Sequence, residues 1–191
     1  MAGMRARARS GTAARAGLGA LRALIMMLAA LVLVAAPALA QLPDARRGPS
    51  GLPIPRFVSL KSDRINVRAG PGQDHRIAWI YERVGLPVEI TAEYDNWRRI
   101  RDSEGDEGWI HHSLLSGRRT ALIAPWSEEA TLPVRLTAAR NAAAVALVEP
   151  KVQVDVERCD GSWCRIAVAG IGGFIEQELL WGVYPGEIVG D

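Results

Sequence analysis

The sequence is short of the residues from which most catalytic and metal centres are built. Its 191 residues include only three histidines and two cysteines. The histidines are His75, His111 and His112, the last two adjacent. Neighbours on a strand point to opposite faces, so that pair cannot easily chelate one metal. A zinc site wants more ligands than the two cysteines supply. No Gly-x-Ser-x-Gly elbow, phosphate loop or His-Glu-x-x-His motif occurs. The chain is therefore read as a protein that is not an enzyme and uses no cofactor and no metal.

A long apolar run is also missing. The apolar stretch near the N-terminus, Ala23 to Ala36, has 14 residues. A membrane-spanning helix needs about 20, whereas a signal-peptide core needs roughly 7–15. Arg5, Arg7, Arg9, Arg15 and Arg22 precede or open it without an acidic residue, and Pro37 with Ala38-Leu39-Ala40 follows. Residues 1–40 read as a signal peptide cleaved between Ala40 and Gln41, the alternative being an uncleaved membrane anchor. Cleavage would leave a periplasmic or secreted protein with no stable membrane span.

The third absence is a basic excess. The chain has 23 basic and 21 acidic residues, a net charge of +2, but five of the basic ones lie in residues 1–40 and none of the acidic ones do. Without that segment the count is 18 against 21, or −3. A nucleic-acid footprint needs clustered basic residues in excess, so nucleic acid is excluded as a partner.

The two cysteines frame Cys159-Asp160-Gly161-Ser162-Trp163-Cys164. In an exported protein an even pair reads as a disulfide. Asp160-Gly161 favours a turn that would bring the cysteines across a hairpin. A redox-active pair and half of a metal site are the alternatives; the first usually has two intervening residues and here there are four.

Residues 41–55 carry Pro43, Gly48, Pro49, Gly51, Pro53 and Pro55 and read as a linker. Beyond them the chain repeats itself. Ile65 to Arg68, Val88 to Ile90, Tyr94 to Ile100, Gly108 to Ile110 and Ser113 to Leu115 recur as Leu132 to Arg135, Val154 to Val156, Cys159 to Ile166, Gly173 to Ile175 and Glu178 to Leu180. Five matched blocks in one order, at offsets of 65 to 67 residues, mark a tandem duplication. Short runs of Val, Ile, Trp and Tyr alternate with Gly, Pro, Asn and Asp, the pattern of strands and turns. The alanine-rich stretch Thr137 to Val148 aligns with Gln73 to Glu82 and reads as loop then strand.

The pattern Ile65-Asn66-Val67-Arg68-Ala69-Gly70-Pro71-Gly72, then Trp97-x-x-Ile100, then Gly108-Trp109-Ile110, resembles the bacterial SH3 domain (SH3b). The resemblance runs from about Pro55 to Val183. It implies an all-β chain of two tandem SH3-like small β-barrels, at 56–117 and 118–184, with 185–191 as a C-terminal tail. The second copy departs from the pattern: Pro133 replaces Asn66, and Leu136-Thr137-Ala138-Ala139 replaces the glycine-bearing loop. The family implies a binding role, whose ligand would be a peptide, a peptidoglycan fragment or an envelope protein. The alternative is a structural accessory whose barrels only dimerise or scaffold an envelope complex.

Strand alternation assigns the candidate site. With Ser103 to Glu107 in a turn and Ile100 opposite Ile110, the face holding Arg98, Ile100, Gly108 and Ile110 is the core side. Trp97, Arg99, Arg101, Trp109 and His111 share the outer face. Large aromatics beside arginine are an interface signature. This face either binds a ligand or partner, or packs on the other copy; Trp126 and Trp181 are further candidates for packing between copies. Trp163, Arg165 and Phe174 form a fainter version in the second copy.

Overall fold

The computed structural model describes residues 46–190. The signal-peptide and cleavage assignments, with the start of the linker, lie outside the described residues. The described chain is built of strands joined by turns, with two short 3-10 turns, and falls into two antiparallel sheets and a small hairpin.

The hairpin is the first departure from expectation. β1 (Arg46–Arg47) pairs with β2 (Pro53–Ile54) inside the stretch read as linker. Its tip docks on the first repeat: the backbone N–H of Ser50 and its hydroxyl both donate to the Glu93 carboxylate, at 2.9 and 2.7 Å. A proline- and glycine-rich composition cannot bury a core, but a single buried anion gives such a segment a fixed place.

The first repeat comprises β3 (Arg56–Leu60), β4 (Ile65–Arg68), β5 (Ile77–Tyr81), β6 (Pro87–Tyr94), β7 (Trp97–Arg101), β8 (Glu107–His111) and β9 (Leu115–Ser116). They form one sheet in the order β5-β4-β8-β7-β6-β3-β9. Alternation sends Leu60, Ile65, Val67, Val88, Ile90, Ile100 and Ile110 into one core. The second repeat comprises β10 (Thr120–Ile123), β11 (Leu132–Arg135), β12 (Ala144–Val148), β13 (Gln153–Asp160), β14 (Trp163–Val168), β15 (Ile171–Glu176) and β16 (Leu180–Trp181), and its sheet runs in the matching order β12-β11-β15-β14-β13-β10-β16. Its core includes Ile123, Val134, Val154, Ile166 and Ile175. The alanine-rich stretch is loop followed by β12, as the repeat alignment indicates.

A last strand, β17 (Ile188–Val189), pairs with β13 at Cys159 and Asp160. The segment read as a tail therefore belongs to the second sheet. Two residues are too few to carry a periodic signal; the pairing edge that β13 offers beyond β10 gives them their place.

Gly108 and Gly173 hold the same position in the two repeats. A Cβ at Gly108 would collide with Val67 and sit 3.2 Å from the Arg68 carbonyl, and one at Gly173 would meet Val134 and lie 2.9 Å from the Arg135 carbonyl. Only glycine lets β8 cross β4, and β15 cross β11, this closely. That approach sets the next residue, Trp109 or Phe174, directly beside Arg68 or Arg135.

The cysteines are bridged and directly opposed across the β13–β14 hairpin, with Cα atoms 4.1 Å apart. Asp160 closes the turn: its carboxylate accepts from the backbone N–H groups of Ser162 (2.9 Å) and Trp163 (2.8 Å). Backbone hydrogen bonds from Trp163 and Ser162 hold its pKa below the ordinary aspartate value.

The repeats share a packed seam. Phe57 meets Trp181 edge-on at 5.2 Å and Tyr184 at 4.7 Å between ring centroids. Ser59 Oγ lies 2.6 Å from Thr120 Oγ1, and the Thr120 hydroxyl donates to the Gly85 carbonyl. The Tyr184 hydroxyl donates to Glu89 across the seam at 2.8 Å. Burial, then that bond to Glu89, pushes the Tyr184 pKa up.

Candidate functional site

The register of the β7–β8 hairpin differs by two residues from the expected one. Ile100 faces Gly108, and Ile110 faces Arg98. The turn is held by Asp102, whose carboxylate accepts from the backbone N–H groups of Glu104 and Asp106, both at 3.0 Å. Because the slip is an even number, every side chain keeps its face. Arg98, Ile100, Gly108 and Ile110 are buried, while Trp97, Arg99, Arg101, Trp109 and His111 all point outward.

The outward residues are sorted into cross-strand rows. Tyr94, Trp97 and His111 stand side by side on β6, β7 and β8. Arg99, Trp109 and Arg68 form the next row on β7, β8 and β4. Arg101 lies between Glu89 and Glu107 in the third.

The third row belongs to the seam. Arg101 Nε donates to Glu89 at 2.9 Å, and its guanidinium lies over the Trp181 ring at 5.8 Å. Glu89 is buried and also receives the Tyr184 hydroxyl. Trp181 packs between the repeats against Phe57, and Arg101, half-exposed on the outer face, is paired with Glu89 and lies over Trp181. Trp126 is exposed instead.

Trp97 and His111 of the first row line a groove. Trp97 and His111 meet edge-on at 5.6 Å, and Arg64, Asn66, Arg68 and Leu114 complete the walls of about 190 Å³ of space. His111 Nδ1 lies 2.8 Å from the Ser113 hydroxyl, which fixes the ring's orientation. Arg68 donates to the His75 carbonyl at 2.7 Å and so fixes the loop between β4 and β5. Arg64 reaches only the exposed Glu82, at 3.8 Å. Among the described residues no acidic side chain lines the groove. An aromatic floor, two guanidinium groups and an imidazole can receive a carboxylate beside an apolar group. In the second row Arg99 is paired with Glu107.

Sequence reasoning missed Arg68 and its counterpart Arg135, which donates to the Ala142 carbonyl at 2.8 Å. The signal was present: Val-Arg survives in both copies where the following loop does not. It also missed Arg64, an isolated loop arginine with no pattern to mark it. Among the described residues no cluster of three or more His, Cys, Asp or Glu could hold a metal ion, and no helix is long and apolar enough to cross a membrane.

A family profile for the bacterial SH3 domain matches residues 61–117 and 128–182, more than half of the chain. Among solved structures the chain is similar to NlpC2 from Trichomonas vaginalis, at 15% identity and a TM-score of 0.30, over 66% of this chain and 48% of that one. It is likewise similar to NlpC1 from Trichomonas vaginalis, at 17% identity and a TM-score of 0.29, over 66% and 45%. The chain thus spans about half the length of each. A comparison with curated proteins finds no match.

Proposed function

The chain belongs to the bacterial SH3 domain family, and from that premise we propose that it is an exported, non-enzymatic binding or adaptor protein of the cell envelope. Its ligand is a carboxylate-bearing peptide, carried by a cell-wall fragment or by a partner protein, and is held in the groove of the first repeat. One observation carries this reading: Trp97, His111, Arg64 and Arg68 converge on a groove that, among the described residues, no acidic side chain lines. Trp97 supplies stacking area, and the arginines supply charge-assisted hydrogen bonds. Arg68 is already oriented by its bond to the His75 carbonyl, so little freedom is lost on binding.

The test is co-sedimentation of the purified chain with isolated peptidoglycan sacculi, beside a Trp97→Ala/Arg64→Ala variant. Neither residue belongs to the core cluster, so the variant should keep the wild-type melting curve. The wild type should sediment, and the variant should lose binding by tenfold or more, since hot-spot losses run to about 2 kcal/mol. Equal sedimentation of a folded variant would remove the groove from the account.

A further inference from the structure

The second repeat lost the glycine-bearing loop but gained something the first lacks. Across β13, β14, β15 and β11, Arg158, Arg165, Phe174 and Arg135 stand in one cross-strand row. The Arg165 guanidinium lies over the Phe174 ring at 5.9 Å. Beside this row β17 raises a wall: Ile188, paired with Asp160, is 59% exposed. Arg158, Trp163, Arg165, Phe174 and Ile188 line a bowl of about 520 Å³, larger than the groove of the first repeat. The wall depends on the C-terminal strand, which pairs only with the second repeat.

Most of the charge in this bowl is already committed. The Asp160 carboxylate holds the turn through Ser162 and Trp163. Arg165 donates to Glu157 at 2.7 Å, and Arg135 is bonded to the Ala142 carbonyl. Arg158 enters no ion pair among the described residues and is exposed. The bowl therefore offers two half-buried aromatic rings, an exposed isoleucine and a guanidinium that makes no ion pair among the described residues, though its charge helps to lower the pKa of Asp160 beside it.

We propose that this bowl is a second binding site, for an extended acidic peptide that sets an apolar side chain on Trp163 and Phe174 and a carboxylate against Arg158. The apolar wall disfavours a bare polyanion, which has no apolar group to cover Ile188. It stands apart from the groove of the first repeat and does not depend on it.

The experiment is fluorescence anisotropy of a labelled Glu-Leu-Glu-Leu-Glu peptide, with a Lys-Leu-Lys-Leu-Lys peptide and a single-stranded oligonucleotide as comparisons. It uses the full chain carrying Trp97→Ala/Arg64→Ala, so that the first groove is silent. The acidic peptide should still bind saturably. Adding Arg158→Glu should weaken it at least tenfold, and adding Ile188→Asp several-fold. Both substitutions are at exposed positions, and unchanged melting would show the fold intact. The proposal is overturned if no saturable binding survives in that background, if Arg158→Glu leaves affinity unchanged, or if the lysine peptide or the oligonucleotide binds as tightly. Sacculus binding unchanged in Trp97→Ala/Arg64→Ala, with this peptide still bound, would condemn the first site alone.

Discussion

The two repeats solve one problem by different chemistry. Glu93 and Arg98 are cross-strand partners on β6 and β7; Cys159 and Cys164 are partners at the same position on β13 and β14. In the second repeat a covalent bridge closes the hairpin. In the first, Arg98 Nε lies 3.2 Å from a Glu93 carboxylate that is fully buried, and Arg56 donates to the same carboxylate at 2.7 Å. A bridge needs nothing further. A buried carboxylate needs every lone pair answered, since a charge taken from water must be repaid by hydrogen bonds. That requirement recruits Ser50 and with it the N-terminal hairpin. The lesson is that an ionic lock organises the chain around it, whereas a disulfide organises only its own two residues.

Breaking the ionic lock should have the largest effect. Glu93→Ala leaves two buried or half-buried arginines without their anion and should cost about 3 kcal/mol or more by urea unfolding. The same lock makes stability depend on acid. Burial acts to raise the Glu93 pKa, but hydrogen bonds from Ser50 and Arg56 and the charge of Arg98 outweigh it and bring it down from 4.5 to about 2. A depressed carboxylate contributes fully above its unfolded pKa and loses that contribution as pH falls through the folded one. Unfolding midpoints measured from pH 5 down to 2 should therefore fall in the wild type and fall less in Glu93→Ala. Parallel slopes would show that Glu93 is not the group responsible.

Cys159→Ser with Cys164→Ser comes next, at about 2 kcal/mol for so short a loop. Dithiothreitol should lower the wild type to the same level and leave the double variant untouched. An effect of reductant on the double variant would contradict the single bridge. Ser50→Ala is the smallest, at about 1 kcal/mol. Its sharper readout is proteolysis, with faster cleavage around Pro49 to Leu52 once the hairpin tip is released. If cleavage is unchanged, the hairpin is held by something other than Glu93.

Much of this architecture was legible in the residues, and what was not has identifiable causes. The duplication and strand alternation put Trp97, Arg99, Trp109 and His111 on one face because parity survives an even slip. The register itself depended on Asp102 bonding backbone N–H groups, which a pattern of apolar positions does not encode. The lock was hidden because Glu93, an acid on a strand, looks like a solvent-facing residue, so Arg98 stood on the core side with no partner in view. Aligning Glu93 and Arg98 with the two cysteines is the clue that could have exposed it. Arg101 looked like its neighbours on the outer face; its commitment to Glu89 and to Trp181, the latter brought there by the second repeat, was not legible in the strand pattern.

The aromatic seam also bears on how such a pair can be inherited. Tandem copies begin as interchangeable parts, free to be lost or shuffled singly by recombination. Phe57 now depends on Trp181 and Tyr184 for cover, and Glu89 on Tyr184 for a hydrogen bond. A gene rearrangement that carried away either repeat would strip cover from aromatic rings in the other, and loss of the second would leave the buried Glu89 with one partner fewer. Through that seam the duplication has become a ratchet: the two halves can go on diverging, but they must now be passed on together.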